Sequence, residues 1–427
     1  MRAKLNKPPK GYNSFDGYGW SVTEEEFKNS VDFCDKHLKP FGYNIMTVDF
    51  CWSHPGADTR PNPDIGDTGN VLCMDEYGRL IPDTGRFPSA ADGAGFKNLA
   101  DFVHGRAMKF GIHLMRGIPK QAVEADTPVK GTEYTAKDIA DVNGHHCWWL
   151  DHMHPLNMEH PGAQAYLDSL FELYAEWGVD FVKIDDLVQF DDPEKPYCRE
   201  HIEGYSKAIE KCGREMIFSL SPGATPPKEW EHVAKYANMW RISPDFWDNY
   251  QTLKRSFDLF DTWSKRRVDN TYPDGDMLPF GKLSLRGPMG EPRYSSFTYD
   301  EKMSLMAMWC INGSPLILGG EPSCMDQKTI DLLTNRLLLQ MDNSAMDAGK
   351  IYCEDELLIW TAEDRYNEDV LYIAVFNLSD ELVQTPEIDL SLYEASSWCG
   401  MNDDHFTNAH KIHPVIYPHG AFVCAVK

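Results

Sequence analysis

Basic residues are scarce in this chain of 427 residues: 41 Lys and Arg face 66 Asp and Glu, a formal net charge of −25 with histidine neutral. Such a chain lacks the basic patches that displace counterions from phosphate, so neither nucleic acid nor an anionic membrane surface is expected as a partner. No apolar run approaches the ~20 residues that span a bilayer. The opening MRAKLNKPPKGYNSF carries charges and prolines but no apolar stretch of a secretory leader. The eleven cysteines are odd in number, scattered from Cys34 to Cys424 and free of CxxC pairs. That pattern argues against a disulfide framework and for reduced thiols in a cytoplasmic protein. A GxGxxG after the first strand, a GxxxxGK[ST] loop and a GxSxG elbow are also missing, which removes the dinucleotide, P-loop and serine-hydrolase readings.

What is present is a large core: 42% hydrophobic and 12% aromatic residues are too many for a disordered acidic chain. Short apolar runs rich in β-branched and aromatic residues alternate with segments of helical period, which is the texture of a parallel α/β sheet. Strands are predicted over 12–15, 44–50, 110–116, 180–185, 216–220, 239–243 and 316–319, with a poorly defined one near 276–280. Helices are predicted over 23–38, 96–110, 162–177, 198–212 and 299–311. Thr23 with Glu26 forms a capping box, and Gly178 is a helix-ending glycine. Eight βα units imply a (β/α)8 TIM barrel over 1–345, with a doubly wound open sheet as the alternative. Beyond it the runs 357–361, 371–377 and 421–426 alternate as strands do, so 346–427 reads as a small antiparallel β-sandwich domain. Segments 53–89 and 120–160 follow presumed strand ends and read as insertions overhanging the barrel mouth.

Two segments carry candidate chemistry. In 180–186 (DFVKIDD) the period of two puts Lys183 and Asp185 side by side at a strand's C-terminal end, either as a functional pair or as a structural ion pair. In 239–248 (MWRISPDFWD) Arg241 and Asp245 flank a proline that ends the strand. There Asp245 sits among aromatics that should raise its pKa and make it a general acid, or else it is an ordinary helix N-cap. Two carboxylates, each beside a cation, fit glycoside hydrolysis. Asp49 and the pair Asp274 and Asp276 are further hydroxyl acceptors or plain loop residues. His145, His146 and Cys147 lack another ligand at zinc spacing, so no metal is expected there.

At these residues the chain resembles glycoside hydrolase family 27, the α-galactosidase and α-N-acetylgalactosaminidase family. Gly11-Tyr12-Asn13-Ser14-Phe15-Asp16 is similar to its GWNSW motif, Val48-Asp49-Phe50-Cys51-Trp52 to DDCW, and Trp177-Gly178-Val179-Asp180 to Asp185 to WGVDxxKxD. Arg241 with Asp245 matches its arginine and acid/base aspartate, and Asp274-Gly275-Asp276-Met277-Leu278 its DPDML. The resemblance implies a retaining exo-glycosidase acting on an oligosaccharide or glycoconjugate without metal or organic cofactor, a homo-oligomer being left open. Asp185 would be the nucleophile and Asp245 the acid/base. Lys183 and Arg241 would bind ring hydroxyls, Asp49 the hydroxyl at C4 or C6, and Phe15 would form part of the aromatic wall. Asp16, Trp52, His113 and Asp276 would complete the sugar-binding set. Ser221 and Ala224 fall where a small pair leaves room for a 2-acetamido group, which favours N-acetylgalactosamine. Phe50, however, stands where the family has a second aspartate. This weakens the case for galacto-configured sugars and could admit an α-glucan or a β-L-arabinopyranoside; a barrel that binds sugar without turnover is the remaining alternative. Cys51 finds no cysteine partner in 11–24, in keeping with reduced thiols.

Overall fold

The computed structural model describes residues 1–55, 72–147, 149–189, 197–266 and 268–427; the central part of the first insertion and Trp148 of the second lie outside them. Eight strands form one parallel sheet: β1 (Lys10–Asn13), β2 (Ile45–Val48), β3 (Lys109–Met115), β4 (Phe181–Gln189), β5 (Ile217–Gly223), β6 (Met239–Arg241), β7 (Tyr272–Asp274) and β8 (Leu316–Leu318). From β1 to β7 each pairs with the next in chain order, and β8 pairs back onto β1. The circuit closes between the ends of the sheet through a parallel bridge from Leu278 to Leu318. This is the (β/α)8 barrel expected from the alternation.

The seventh strand is a correction: it lies at Tyr272–Asp274, before the segment 276–280. Pro273 sits in it, opposite Trp240, and a proline inside a run argues against a strand when only sequence is at hand. The barrel tolerates it because this strand borders the seam, where Leu278 supplies the contact to β8.

Helices fill the outer layer where local signals put them. Helix α1 (Glu24–His37) starts on the Thr23–Glu26 capping box, with both reciprocal hydrogen bonds formed. Helix α2 is Lys97–His104, and α3 (Pro161–Trp177) opens on proline and ends on Gly178 at φ +87°. Then follow α4 (Arg199–Lys211), α5 (Trp230–Tyr236), α6 (Tyr250–Trp263), α7 (Tyr299–Ile311) and, after a shorter helix, α8 (Arg336–Ser344). From Ser304 to Ile311 every residue of α7 is buried. A helix apolar all round must be covered on every side, and here the barrel lies on one flank and the C-terminal sheet on the other.

That sheet contains β9 (Ala345–Glu354), β10 (Leu357–Asp364), β11 (Leu371–Asn377), β12 (Ser397–Gly400) and β13 (Ala421–Val426), in the antiparallel order β9-β10-β11-β13-β12. Trp360, Tyr372, Phe376 and Val423 join the main core, while Ile359, Ile373, Val375 and Cys424 face a second small core with Ile388, Ile412 and Ile416. Alternate residues thus bury on opposite faces, as a sandwich requires. All eleven cysteines are free thiols. Among the described residues no helix is long and apolar enough to cross a membrane.

Candidate active site

The parallel register sets the site. It pairs His113 with Lys183 and Met115 with Asp185, so Lys183 and Asp185 share the face onto which His113 also points. His113 Nε2 lies 3.1 Å from Asp185 Oδ2, a contact in which only the ring can donate to an ionised carboxylate. The Asp186 amide donates to Asp185 Oδ1 at 2.9 Å. Burial pushes the Asp185 carboxyl up, but the His113 bond, the Lys183 charge and that amide outweigh it, and the group ends below its ordinary value.

Lys183 does not pair with Asp185. Its Nζ donates to Asp49 Oδ2 at 3.1 Å, just beyond β2, and the same oxygen accepts Asn13 Nδ2 at 2.6 Å from the end of β1. Burial alone would raise Asp49. Lys183, His113, the Phe50 amide and Asn13 instead hold it down at about 2. Lys183 Nζ also lies 5.9 Å from the centre of the Phe15 ring. An apolar cluster separate from the main core continues this wall: Phe15, Trp20, Phe50, Met115, Cys147 and Trp149 belong to it. Phe50 presents its ring 5.3 Å from His113 and 5.7 Å from Trp149, edge to face in both cases.

Across the mouth, Arg241 ends β6, fully buried. Its Nη2 meets Asp276 Oδ2 at 2.8 Å, Ser243 O at 3.1 Å and Asp245 Oδ1 at 3.3 Å. Asp276 also accepts the Phe246 amide at 2.7 Å. Burial pushes Asp276 up to about 7 against the pull of Arg241, with Asp245 and Asp274 adding to the rise. Asp16 is buried beside it, its Oδ2 without a partner, and burial and Asp276 drive its pKa well above the ordinary value. Next to Asp185, Arg116 grips Asp186 Oδ2 through Nε at 2.9 Å and Nη2 at 2.7 Å and reaches the His145 carbonyl, tying the second insertion to β4.

The result is an ionised carboxylate fixed by a histidine near a lysine, facing a second carboxyl on a buried arginine, under an aromatic wall. A family model described as alpha galactosidase A matches residues 130–344. The chain is 24% identical over 357 residues to alpha-galactosidase 2 of Arabidopsis thaliana, covering 83% of this chain and 71% of that protein. It is 25% identical over 372 residues to the alpha-N-acetylgalactosaminidase of Mus musculus, covering 80% and 69%. A family 27 β-L-arabinopyranosidase from Geobacillus stearothermophilus superposes with a TM-score of 0.92 at 39% identity, over 99% of this chain and 97% of that one. The chain belongs to glycoside hydrolase family 27. It is a glycoside hydrolase from a family acting on α-galactosides, N-acetylgalactosaminides or β-L-arabinopyranosides.

Family 27 membership does not put every expected residue at the mouth. Trp52, expected in the sugar-binding set, packs its ring between Phe96 and Trp177 in the helix layer, and its indole donates to the His113 carbonyl at 2.7 Å. It belongs to the main core and supports β3 from behind. Asp245 is not enclosed by its aromatic neighbours, as its side chain is 61% exposed while Phe246 turns inward onto Phe297 and Trp309. Nor does it cap the next helix, since Asn249 caps α6. Ser221 and Ala224 are only 1% and 2% exposed, so neither lines open space for an acetamido group. Ser221 lies within β5 and Ala224 just past its end, and Gly223 between them, at φ +89°, lies so close to the segment after β6 that a Cβ would stand 2.3 Å from the Ser243 carbonyl oxygen. His146 bonds His154 at 2.8 Å, and the described residues hold no cluster of three or more metal-ligating side chains. Sequence reasoning passed over Asn13 and the Arg116–Asp186 pair. Asn13 had a signal, standing two residues before Phe15 at a strand end, whereas the pair depends on register alone.

Proposed function

We propose that this family 27 enzyme is a retaining exo-glycosidase that removes terminal β-L-arabinopyranosyl units, with α-galactosides as slower substrates. The two sugars share ring stereochemistry from C1 to C4; galactose adds a hydroxymethyl at C5. The observation that carries the reading is Phe50. Where a carboxylate would accept an additional hydroxyl there is a buried ring packed on His113 and Trp149. It offers no acceptor and fills volume, which suits a sugar without C6. Asp49 remains to hold the C4 hydroxyl together with Lys183. The 39% identity to the Geobacillus β-L-arabinopyranosidase supports the same choice, and the burial of Ser221 and Ala224 speaks against N-acetylgalactosamine.

In the reaction, Asp185 is the nucleophile. Held ionised by His113 and Lys183, it attacks the anomeric carbon and forms a glycosyl ester as the aglycone oxygen leaves. Asp245 donates its proton to that oxygen, then takes one from the water that opens the ester, and its exposure at the mouth suits exchange with both. Arg241 orients Asp245 and Asp276. A panel of aryl β-L-arabinopyranoside, α-galactoside, α-N-acetylgalactosaminide and α-glucoside tests the reading. The arabinoside is expected to lead in kcat/KM by about tenfold or more, and preference for the acetamido sugar or the glucoside would overturn it.

A further inference from the structure

A pocket of about 470 Å³ opens between the segment that follows β7 and the one that follows β8. Both segments leave the C-terminal ends of their strands, so the pocket lies on the catalytic face. None of its lining residues belongs to the cluster around Asp185 and Arg241. Tyr294 and Tyr299 line it and are 65% and 45% exposed, which leaves large aromatic surface bare. Lys302 Nζ donates to Thr329 Oγ1 at 3.0 Å and keeps further donor capacity toward the cavity. Ser295 Oγ is shielded from solvent and has no hydrogen-bond partner. Asp326 adds a carboxylate to the same lining.

These groups select a ligand class. A purely apolar guest would leave Ser295 Oγ unpaired and strip water from the charged heads of Lys302 and Asp326. Asp326 offsets one of the two lysines in the lining, Lys302 and Lys328, and the chain as a whole stands at −25, so an anion gains little attraction there. A pyranose offers what the pocket lacks, an apolar C–H face for the tyrosines and hydroxyls that both donate and accept. We propose that this pocket is an accessory glycan site, holding a neutral pyranose unit of the substrate chain away from the one being cleaved. The inference rests on the glycosidase reading for the class of chain, but the pocket itself stands on its own residues.

The test uses the full-length protein labelled with fluorotyrosine, the Tyr294 and Tyr299 signals being assigned by Tyr294→Phe and Tyr299→Phe. Titration with raffinose, a neutral oligosaccharide, should move both signals saturably. In parallel, Tyr294→Ala with Tyr299→Ala should leave kcat/KM for an aryl β-L-arabinopyranoside within about twofold while raising KM for an oligosaccharide substrate about fivefold at unchanged kcat. Static tyrosine signals up to high sugar concentration, or an oligosaccharide KM unmoved by the double variant, would overturn the accessory site even if the enzyme turns over every glycoside. Moving signals without turnover of any glycoside would instead remove the catalytic reading and leave the accessory site standing.

Discussion

Asp185 and Asp245 are both aspartates on arms of one barrel, yet their surroundings differ in a way that suits the opposite tasks proposed for them. Asp185 is buried and ionised by its donors, whereas Asp245 stands in the open mouth on Arg241. Asp185→Asn should therefore cut kcat roughly 10⁴-fold or more with the thermal melt unchanged; undiminished turnover would remove the mechanism. Asp245→Asn should slow substrates with poor leaving groups far more than activated aryl glycosides, because only the former need strong protonation. At position 50 a carboxylate should restore an acceptor, so Phe50→Asp is expected to raise the ratio of α-galactoside to β-L-arabinopyranoside turnover, read as kcat/KM on the two aryl glycosides. Asp276 and Asp186 give the same residues a pH signature. Burial raises their folded pKa from 3.8 to about 7 and about 6. A carboxyl so raised contributes stability that is complete below its unfolded pKa and is lost as pH rises through the folded one. Melting temperature should accordingly fall between about pH 4 and about pH 7, and Asp276→Asn should flatten that fall.

Individual strands and helices are where sequence pattern was most informative, and also where it stopped. Strands β2 to β6 and β8 announce themselves as apolar runs because both faces of a parallel strand are covered, whereas β1, Lys10–Asn13, lies two residues before its expected place at 12–15. Strand β9 does not, since most of its residues stay at least partly exposed and leave no alternation to read. The pairing of His113 with Asp185 was invisible for a different reason: it depends on the register between β3 and β4, which no local spacing encodes. Side-chain direction in loops is equally non-local. Phe246 turns into the core because Phe297 and Trp309 receive it, and that packing exposes Asp245. Gly11 shows an element-level constraint inside a functional motif. It pairs with Ile45 across β1 and β2, and a Cβ there would lie 1.9 Å from the Ile45 carbonyl oxygen. A backbone atom within a barrel strand cannot step aside cheaply, so Gly11→Ala should cost about 2 kcal/mol or more in urea unfolding. A loss of only a few tenths would mean that the strands can separate without disturbing the barrel.

At the scale of the whole molecule, the barrel and the C-terminal sheet do not have separate interiors. One hydrophobic core runs from Leu305, Trp309 and Leu338 of α7 and α8 into Trp360, Tyr372, Phe376 and Val423 of the sheet. Polar contacts reinforce the join. The His419 ring stacks on Tyr250 at 3.6 Å and bridges Glu301 and Asp380, Ser304 Oγ donates to the His419 carbonyl at 2.6 Å, and the Tyr250 hydroxyl donates to the Leu378 carbonyl at 2.6 Å. Removing 346–427 would strip α7 of one of its two covers and expose side chains whose burial is worth about 1.5–3 kcal/mol each. Several such losses match the 5–15 kcal/mol by which a folded domain typically outlasts its unfolded state. A chain ending at residue 345 should therefore fail to accumulate as a folded, active barrel. The intact protein, for its part, should unfold in a single transition followed identically by near-ultraviolet circular dichroism and tryptophan fluorescence. An active truncated barrel, or two resolved transitions in the full chain, would show that the small sheet is an appendage and that α7 can find its second cover within the barrel.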